Sequence, residues 1–135
     1  MDVFVYGTLT EPDRVGEVLD SFVFVGPATL VGLRPVEGRY PTLAPGGETA
    51  GRLLRTDAID VLDAYEGVDD GIYVRVAVPL DAPDGHPEEA TLYVGDPDRL
   101  DADATWPGDG EFGERVRTYL DRADVAVRLD PDAAV

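Results

Sequence analysis

Residues 3–9 read Val-Phe-Val-Tyr-Gly-Thr-Leu, an apolar run that is closed by a glycine. The apolar part, Val3–Tyr6, predicts a buried first strand, and Gly7 predicts a tight turn directly after it. A glycine at such a turn lets the backbone approach a ligand closely, and successive N–H groups there can hold an anion. Turn glycines without a ligand are the commoner case. This stretch alone therefore leaves both interpretations open.

The rest of the chain predicts strands and helices that do not strictly alternate. We expect strands at residues 22–36, 49–55, 72–80 and 90–94, helices at 10–19, 56–65 and 111–123, a turn at 44–47, a surface loop at 95–110 and a weakly ordered tail at 130–135. No repeat or linker divides residues 1–135, so the sequence indicates a single α+β domain. A small, mixed, mostly antiparallel β-barrel of five to six strands with flanking helices is favoured over a doubly wound fold.

Charge excludes several classes of partner. The 135 residues include 28 acidic and 11 basic side chains, which gives a formal charge of −17. Nucleic acid and anionic membranes are unsuitable partners for such a surface. The N-terminus, Met1-Asp2-Val3, and the short apolar runs predict neither a signal peptide nor a membrane span. The chain has no cysteine, which excludes disulfides and thiolate chemistry.

The acidic residues also indicate an environment. Of the 28 acids 19 are aspartate, and all 11 basic residues are arginine. Self-repulsion at low salt loosens such a domain, whereas molar salt screens it. We therefore expect a halophilic protein of a high-salt cytoplasm; an acidic mesophilic protein is the alternative.

One carboxylate differs from the rest by its position. On a helix, Ile59, Leu62 and Glu66 share one face, so Glu66 is directed toward the core. Apolar surroundings raise the pKa of a carboxyl group, as a general acid and base requires. The alternative is a helix-end glutamate that reaches solvent or pairs with Arg75, and spacing alone does not separate the two.

The strand at 72–80 carries a second group of polar side chains. Tyr73 and Arg75 lie at i and i+2, so we expect both to point inward, toward the helix with Asp63 and Glu66. An inward arginine needs a carboxylate partner, and a structural ion pair is the favoured role. Tyr40 and Tyr93 either present hydroxyls to a cavity or pack as ordinary core residues.

Histidine and tryptophan each occur once in the sequence, and the single histidine limits the kinds of catalytic and metal site that are possible. His86 is the only histidine and lies in the turn sequence Asp84-Gly85-His86-Pro87, so we expect it at the surface. A Ser-His-Asp triad and a histidine-based zinc site are thereby excluded. Trp106 is expected to anchor the long loop on the core.

The ordered set of motifs resembles the γ-glutamylcyclotransferase-like, or AIG2-like, family. The matching stretches lie within about residues 3–95. They are Val5-Tyr6-Gly7-Thr8-Leu9, Tyr40-Pro41, Gly51-Arg52-Leu53, Leu62-Asp63-Ala64-Tyr65-Glu66-Gly67 and Tyr73-Val74-Arg75.

The resemblance implies a small β-barrel with a ligand cavity beside the first of these motifs. It implies that Tyr6 and the backbone of Gly7, Thr8 and Leu9 hold the carboxylate end of a γ-glutamyl group, and that Glu66 is the catalytic residue. Further candidate residues are Tyr40, Tyr73 and Tyr93 for substrate binding, and Asp63 and Arg75 for structural support.

The implied reaction is an intramolecular cyclisation of a small γ-glutamyl substrate. Glu66 moves the protons, 5-oxoproline forms, and an amine or amino acid leaves. Neither a metal nor another cofactor is expected, since the nucleophile belongs to the substrate. We also expect an electropositive pocket from Arg39, Arg52 or Arg75. The alternatives are a non-catalytic small-ligand-binding or interaction module on the same fold, and removal of a γ-glutamyl tag from a biosynthetic intermediate.

Overall fold

Six strands form a closed barrel in the computed structural model, which describes residues 1–130. They are β1 (Asp2–Val5), β2 (Val23–Val36), β3 (Thr42–Arg55), β4 (Tyr73–Asp81), β5 (Glu89–Gly95) and β6 (Ala126–Leu129). The order around the barrel is β1-β3-β2-β6-β4-β5, and β5 pairs with β1. Two pairs, β1–β5 and β4–β6, are parallel, and the other four are antiparallel. The expected α+β class with a mixed, mostly antiparallel barrel is confirmed.

Helices flank this barrel. They are α1 (Pro12–Val18), α2 (Ile59–Glu66), α3 (Pro97–Leu100) and α4 (Phe112–Arg122), and a 3-10 turn spans Gly7–Thr10. Helix α3 lies in the segment that we expected to be a loop. It begins with Pro97 after Asp96, whose side chain accepts a hydrogen bond from the Asp98 N–H at 3.0 Å. Four residues are too short to give a helical period, so the capping pattern was the only signal.

Two strand predictions were incomplete. The turn expected at 44–47 is wrong, because β3 continues through it and pairs with β2 from Thr42 to Arg55. The register shifts where Val31 pairs with Glu48 and Leu33 with Pro45, so that the strand absorbs the two glycines. Strand β6 was missed, although residues 125–129, Val-Ala-Val-Arg-Leu, alternate as a strand does.

Two apolar clusters hold the elements together. The first takes side chains from all six strands and forms the barrel core, which Trp106 and helix α4 cover. The second lies between the strands and helices α1, α2 and α3. Strand β1 supplies both, since Phe4 belongs to the first cluster and Val3 and Val5 to the second.

A close approach between β1 and β3 needs a glycine. A Cβ atom at Gly51 would lie 2.3 Å from the carbonyl oxygen of Val5 and 2.7 Å from the Phe4 ring. Any larger residue would push the end of β1 away from β3. Gly51 thereby holds the end of β1, and the loop that follows it, against the barrel.

At the C-terminal end, Asp130 is tied to the barrel. Its N–H donates to the carbonyl oxygen of Pro27 at 3.0 Å, and its carboxylate accepts from the Thr29 hydroxyl at 3.0 Å. The other residues of the expected tail, 131–135, lie outside the described residues. Within residues 1–130, no helix has the length and apolarity to cross a bilayer.

Candidate functional site

A cavity of about 420 Å³ opens where β1 ends, β4 begins and α2 ends. Five of the side chains expected in a site line it: Tyr6, Tyr40, Glu66, Tyr73 and Tyr93. The remaining described lining residues are Phe4, Val5, Pro41, Ala64, Tyr65, Gly67, Asp70 and Ile72. The wall draws on both apolar clusters, so the cavity lies at their junction.

Glu66 is the last residue of helix α2. The helix ends at Gly67, whose φ of 72° is a left-handed conformation that glycine adopts without strain. One turn earlier Leu62 is fully buried and fixes the helix on the core. The expected core-facing position of Glu66 is therefore what the structure has.

The Glu66 carboxylate has no ionic partner. Among residues 1–130, no hydrogen bond or ion pair to this group is formed. Its side chain is partly buried, and this burial raises the pKa of Glu66 from an ordinary 4.5 to about 7. Glu66 can therefore both accept and release a proton near neutral pH.

Arg75 pairs with Asp63 and not with Glu66. Arg75 Nη1 donates to Asp63 Oδ2 at 2.8 Å, and the hydroxyl of Tyr93 donates to Asp63 Oδ1 at 2.7 Å. The expected ion pair with helix α2 is therefore formed, through Asp63, although the Arg75 side chain remains 41% exposed and does not point into the core. Tyr73 and Arg75 share the outer face of β4, but helices cover only the start of that strand. Tyr73 is thus buried.

Hydrogen bonds hold the hydroxyls of three tyrosines of the cavity wall, Tyr6, Tyr73 and Tyr93. The Tyr6 hydroxyl donates to the carbonyl oxygen of Tyr93 at 2.7 Å, and the Tyr73 hydroxyl donates to that of Pro41 at 2.6 Å. Burial raises the pKa of Tyr6, Tyr73 and Tyr93, and the charge of Glu66 adds to the effect at each. All three hydroxyls are therefore protonated at neutral pH.

The loop after β1 lies next to Pro41, a residue of the cavity wall, but does not itself belong to the described lining. Gly7 lies against Pro41, since a Cβ atom at Gly7 would be 3.3 Å from the Pro41 ring. Within the loop the Thr10 hydroxyl donates to the Gly7 carbonyl oxygen at 2.6 Å, and Arg52 donates to the Thr10 carbonyl oxygen at 3.0 Å. The loop backbone is thereby ordered. The side chains of residues 8 and 9 are outside the described part of the structure.

The expected electropositive pocket is wrong. No described residue of the cavity wall is basic. The guanidinium of Arg52 lies 3.7 Å from the centre of the Phe24 ring, and Arg75 is bound to Asp63. Arg39 is exposed. Near the site, Arg52 packs on an aromatic ring and Arg75 forms an ion pair. The cavity wall itself is aromatic and acidic.

Sequence reasoning missed two further polar wall residues, Tyr65 and Asp70. Both flank Glu66 and Gly67 along the chain, which was the available signal. In the sequence, Tyr65 stands out only as part of the motif Leu62–Gly67, and Asp70 does not stand out among the acidic residues. Both line the cavity because Tyr65 lies in the last turn of α2 and Asp70 in the turn that follows the helix.

The residues singled out away from the cavity have structural positions. Trp106 is 2% exposed and makes edge-to-face contacts with Phe112 and Tyr119, as an anchor of the loop does. His86 is partly buried, and its backbone N–H donates to the carbonyl oxygen of Pro83 within the turn. Within residues 1–130 no three His, Cys, Asp or Glu side chains converge as a metal site.

Comparison with known families is decisive at this point. The model of the family described as gamma-glutamyl cyclotransferase, AIG2-like, matches residues 3–112. The chain belongs to this family. A relative, AIG2-like protein A of Arabidopsis thaliana, is 34% identical over 84 residues, which are 58% of this chain and 51% of the relative. The chain thus spans about half the length of the curated relative it matches.

Solved structures share the fold of this AIG2-like protein. A gamma-glutamyl cyclotransferase superposes with a TM-score of 0.62 at 18% identity, covering 91% of this chain and 79% of that one. An Arabidopsis thaliana protein solved in solution has a TM-score of 0.52 at 31% identity, covering 90% and 83%. The protein ytfP of Escherichia coli has a TM-score of 0.56 at 25% identity, covering 78% and 93%. The barrel with its flanking helices is the architecture of this family.

Proposed function

We propose that this protein is a γ-glutamyl cyclotransferase in which Glu66 is the general acid and base. The observation that carries the proposal is the Glu66 carboxylate, which faces a cavity of about 420 Å³, has no ionic partner among residues 1–130 and has its pKa raised by burial to about 7. A carboxylate in that state is suited to proton transfer at neutral pH. Membership of the gamma-glutamyl cyclotransferase, AIG2-like family supports the same conclusion.

The proposed reaction has one nucleophile and one leaving group, both supplied by the substrate. Ionised Glu66 takes a proton from the substrate's α-ammonium group, and the freed nitrogen attacks the γ-carbonyl carbon. A carbon–nitrogen bond of the five-membered ring forms and the original γ-amide bond breaks. Glu66 returns its proton to the departing nitrogen, and the ring nitrogen passes its second surplus proton to the same leaving group. 5-Oxoproline therefore leaves with a neutral lactam group, and the amine or amino acid leaves with its nitrogen as an ammonium group.

Proximity accounts for the absence of a cofactor from this scheme. The attacking amine and the carbonyl carbon belong to one molecule, so a folded γ-glutamyl chain supplies the orientation. We assign the substrate carboxylate to the backbone N–H groups of the loop formed by Gly7, Thr8 and Leu9. The same groups are suited to stabilise the oxyanion of the tetrahedral intermediate.

A non-catalytic ligand-binding module is the rival function. It would be favoured if Arg75 neutralised Glu66 and the space beside the first loop were filled. Arg75 instead pairs with Asp63 at 2.8 Å, and the cavity is open. These two observations favour the enzyme. Removal of a γ-glutamyl tag from an intermediate would use the same residues and differ only in the leaving group.

The deciding experiment compares wild type with Glu66→Gln on a panel of γ-glutamyl dipeptides, thiols and amines. We expect wild type to release 5-oxoproline from at least one, and the variant to be slower by about 10² to 10⁴-fold, the usual contribution of a general acid and base. Glu48→Gln, an exposed glutamate on β3, is the matched control. Turnover at the wild-type rate by folded Glu66→Gln would contradict the mechanism.

Salt is a condition of this assay. We propose that the surface, with a formal charge of −17, needs molar salt to remain compact, as expected of a halophilic protein. Circular dichroism of each sample distinguishes an inactive protein from an unfolded one. Full folding in dilute buffer, without a gain in melting temperature at molar salt, would contradict the halophilic assignment.

A further inference from the structure

The loop after β1 begins with a peptide unit whose orientation is not fixed by its own residues. Gly7 has a φ of 72°, and it lacks the Cβ atom that restricts the backbone torsions of other residues. The Gly7–Thr8 peptide can therefore turn over with little strain. In a trans peptide the C=O and N–H groups point in opposite directions, so the direction of the Gly7 oxygen fixes that of the Thr8 N–H.

The Thr10 side chain holds the oxygen of this peptide. Its hydroxyl donates to the Gly7 carbonyl oxygen at 2.6 Å, within the 3-10 turn Gly7–Thr10. If the Gly7–Thr8 peptide turned over, the Gly7 oxygen would leave its donor and this hydrogen bond would break. The Thr8 N–H is thereby kept pointing away from the Thr10 hydroxyl.

Arg52 in turn holds Thr10. In the β1–β3 pairing Arg52 lies opposite Val5, so its side chain starts beside the end of β1. Its Nη1 atom donates to the Thr10 carbonyl oxygen at 3.0 Å, and its guanidinium carbon lies 3.7 Å from the centre of the Phe24 ring. Stacking on this ring limits the positions of the guanidinium group. A chain of contacts thus runs from strands β2 and β3 to the first peptide of the loop.

We propose that Thr10 and Arg52 are positioning residues that lock the Gly7–Thr8 peptide in one orientation for ligand binding. This inference rests on the proposed function in one respect, since it takes the Thr8 N–H as a donor to the substrate carboxylate. Arg52 is not among the described residues of the cavity wall, so it acts on the ligand through the loop backbone.

The test uses two ligands that cannot cyclise. L-Methionine sulfone carries the α-carboxylate and α-ammonium of a γ-glutamyl group, and 3-(methylsulfonyl)propan-1-amine is the same molecule without the carboxylate. Binding of each to the full chain is measured by NMR titration at molar salt and pH 7. We expect wild type to bind the carboxylate ligand about tenfold more tightly, as for a charge-assisted hydrogen bond.

The direction of the Thr8 N–H is measured in the same protein, without ligand, by its residual dipolar coupling. Thr10→Val removes the hydroxyl at nearly constant size, so we expect it to change this coupling and to lower the affinity ratio of the two ligands by about fivefold. Thr10→Ser keeps the hydroxyl and should retain both wild-type values. Damage elsewhere in the fold lowers both affinities and leaves their ratio unchanged, so the ratio reports the carboxylate contact.

Arg52→Met tests the next contact of the chain. It keeps an unbranched apolar side chain against Phe24 but removes the donor to Thr10. We expect it to change the Thr8 coupling and to lower the affinity ratio by about twofold, because it acts on the peptide only through Thr10. Arg34→Met is the matched control, since Arg34 is a strand arginine that donates to the carbonyl oxygen of Pro45 and not to the loop. It should retain both wild-type values.

The outcomes separate this lock from the proposed reaction. An unchanged Thr8 coupling in Thr10→Val or in Arg52→Met, or a wild-type affinity ratio near one, would overturn the lock even if 5-oxoproline is released. A changed coupling with an unchanged ratio would also overturn it, because the peptide would then make no contact with the carboxylate. A changed coupling with a lowered ratio would support the lock even if no γ-glutamyl compound were cyclised, a result that contradicts the proposed function alone.

Discussion

A carboxylate removed from solvent lies near each end of strand β1, and the two carboxylates differ in their partners. At the start, the Asp2 side chain is fully buried and accepts hydrogen bonds from Arg55 at 2.7 and 3.0 Å. Beyond the other end, next to Tyr6, Glu66 is partly buried and has no partner within residues 1–130. The carboxylate at the start of β1 is thus held in an ion pair, and the carboxylate near its other end faces a cavity.

This difference shows the effect of a charged partner. A buried carboxylate that has one forms a stabilising ion pair, whereas a carboxylate without one responds to burial alone. Asp2 and Arg55 face each other in the β1–β3 register, so their pair stabilises the barrel seam. The hydrogen bond and charge of Asp2 raise the pKa of Arg55, which keeps the pair charged. Glu66 has no such partner within residues 1–130, and burial alone raises its pKa to about 7.

The largest effect on stability is expected from removing the partner of Asp2, so that the start of β1 also holds a carboxylate without an ion pair. Arg55→Met leaves Asp2 buried without a partner, and removal of one partner from a buried pair costs about 3 kcal/mol. An ionised carboxylate is costly to bury without a partner, whereas a protonated carboxyl group costs much less. The loss in free energy of unfolding should therefore be larger at pH 7 than at pH 4.

Chemical denaturation at the two pH values measures this effect. Arg128→Met is the control, because Arg128 is also a strand arginine but its nearest carboxylate, Asp130, is 4.0 Å away. It should cost less than about 1 kcal/mol. Equal losses for the two variants would mean that the Asp2 pair contributes no more than an exposed one.

The second prediction concerns the free energy of unfolding of Glu66→Gln. The folded pKa of Glu66, about 7, lies above its ordinary 4.5, so wild type loses stability as the pH rises between these values. Glutamine carries no charge and avoids this loss. At pH 8 the variant should be more stable than wild type by about 2 kcal/mol, after allowance for partial exposure.

The same denaturation experiment at pH 4 provides the internal check. Both side chains are neutral there, so the gain should disappear. Glu48→Gln should show no such pH dependence, because Glu48 is exposed. A pH-independent difference for Glu66→Gln would mean that Glu66 titrates alike in the folded and unfolded states.

The smallest effect is expected at the Asp63–Arg75 pair, which resembles the Asp2 pair in geometry and in the exposure of its arginine but has a partly exposed carboxylate. The side chain of Arg75 is 41% exposed and that of Asp63 is 26% exposed. Arg75→Gln should lower the free energy of unfolding by about 0.5 kcal/mol in low salt and by less in molar salt. A loss as large as that of Arg55→Met would mean that the Asp63–Arg75 pair stabilises the fold as much as the Asp2–Arg55 pair does.

Much of the fold could be predicted because it rests on local patterns. The apolar run Val3–Tyr6, the alternation of β4 and the apolar stripe of α4 all correspond to elements of the structure. The failures came where pairing overrides local signals. The Pro-Gly-Gly of residues 45–47 predicts a turn, yet β2 pairs on both sides of it and carries β3 through. Strand β6 has only four residues, and the barrel closes through it.

The candidate site divides in the same way. Helical spacing was enough to direct Glu66 toward the core, since Leu62 and Glu66 share one helix face. Spacing did not decide between Asp63 and Glu66 as the partner of Arg75. That choice depends on where the outer face of β4 meets α2, which is a matter of tertiary packing.

By itself, the sequence determined the acidic surface, the lack of thiol chemistry, the order of the motifs and the core-facing position of Glu66. These follow from composition and from helix and strand periodicity, which act over a few residues. Only the tertiary structure decided which carboxylates have partners and where the tyrosine protons point. Tyr6, Glu66, Tyr73 and Tyr93 lie on separate elements, and only closure of the barrel brings them to one cavity.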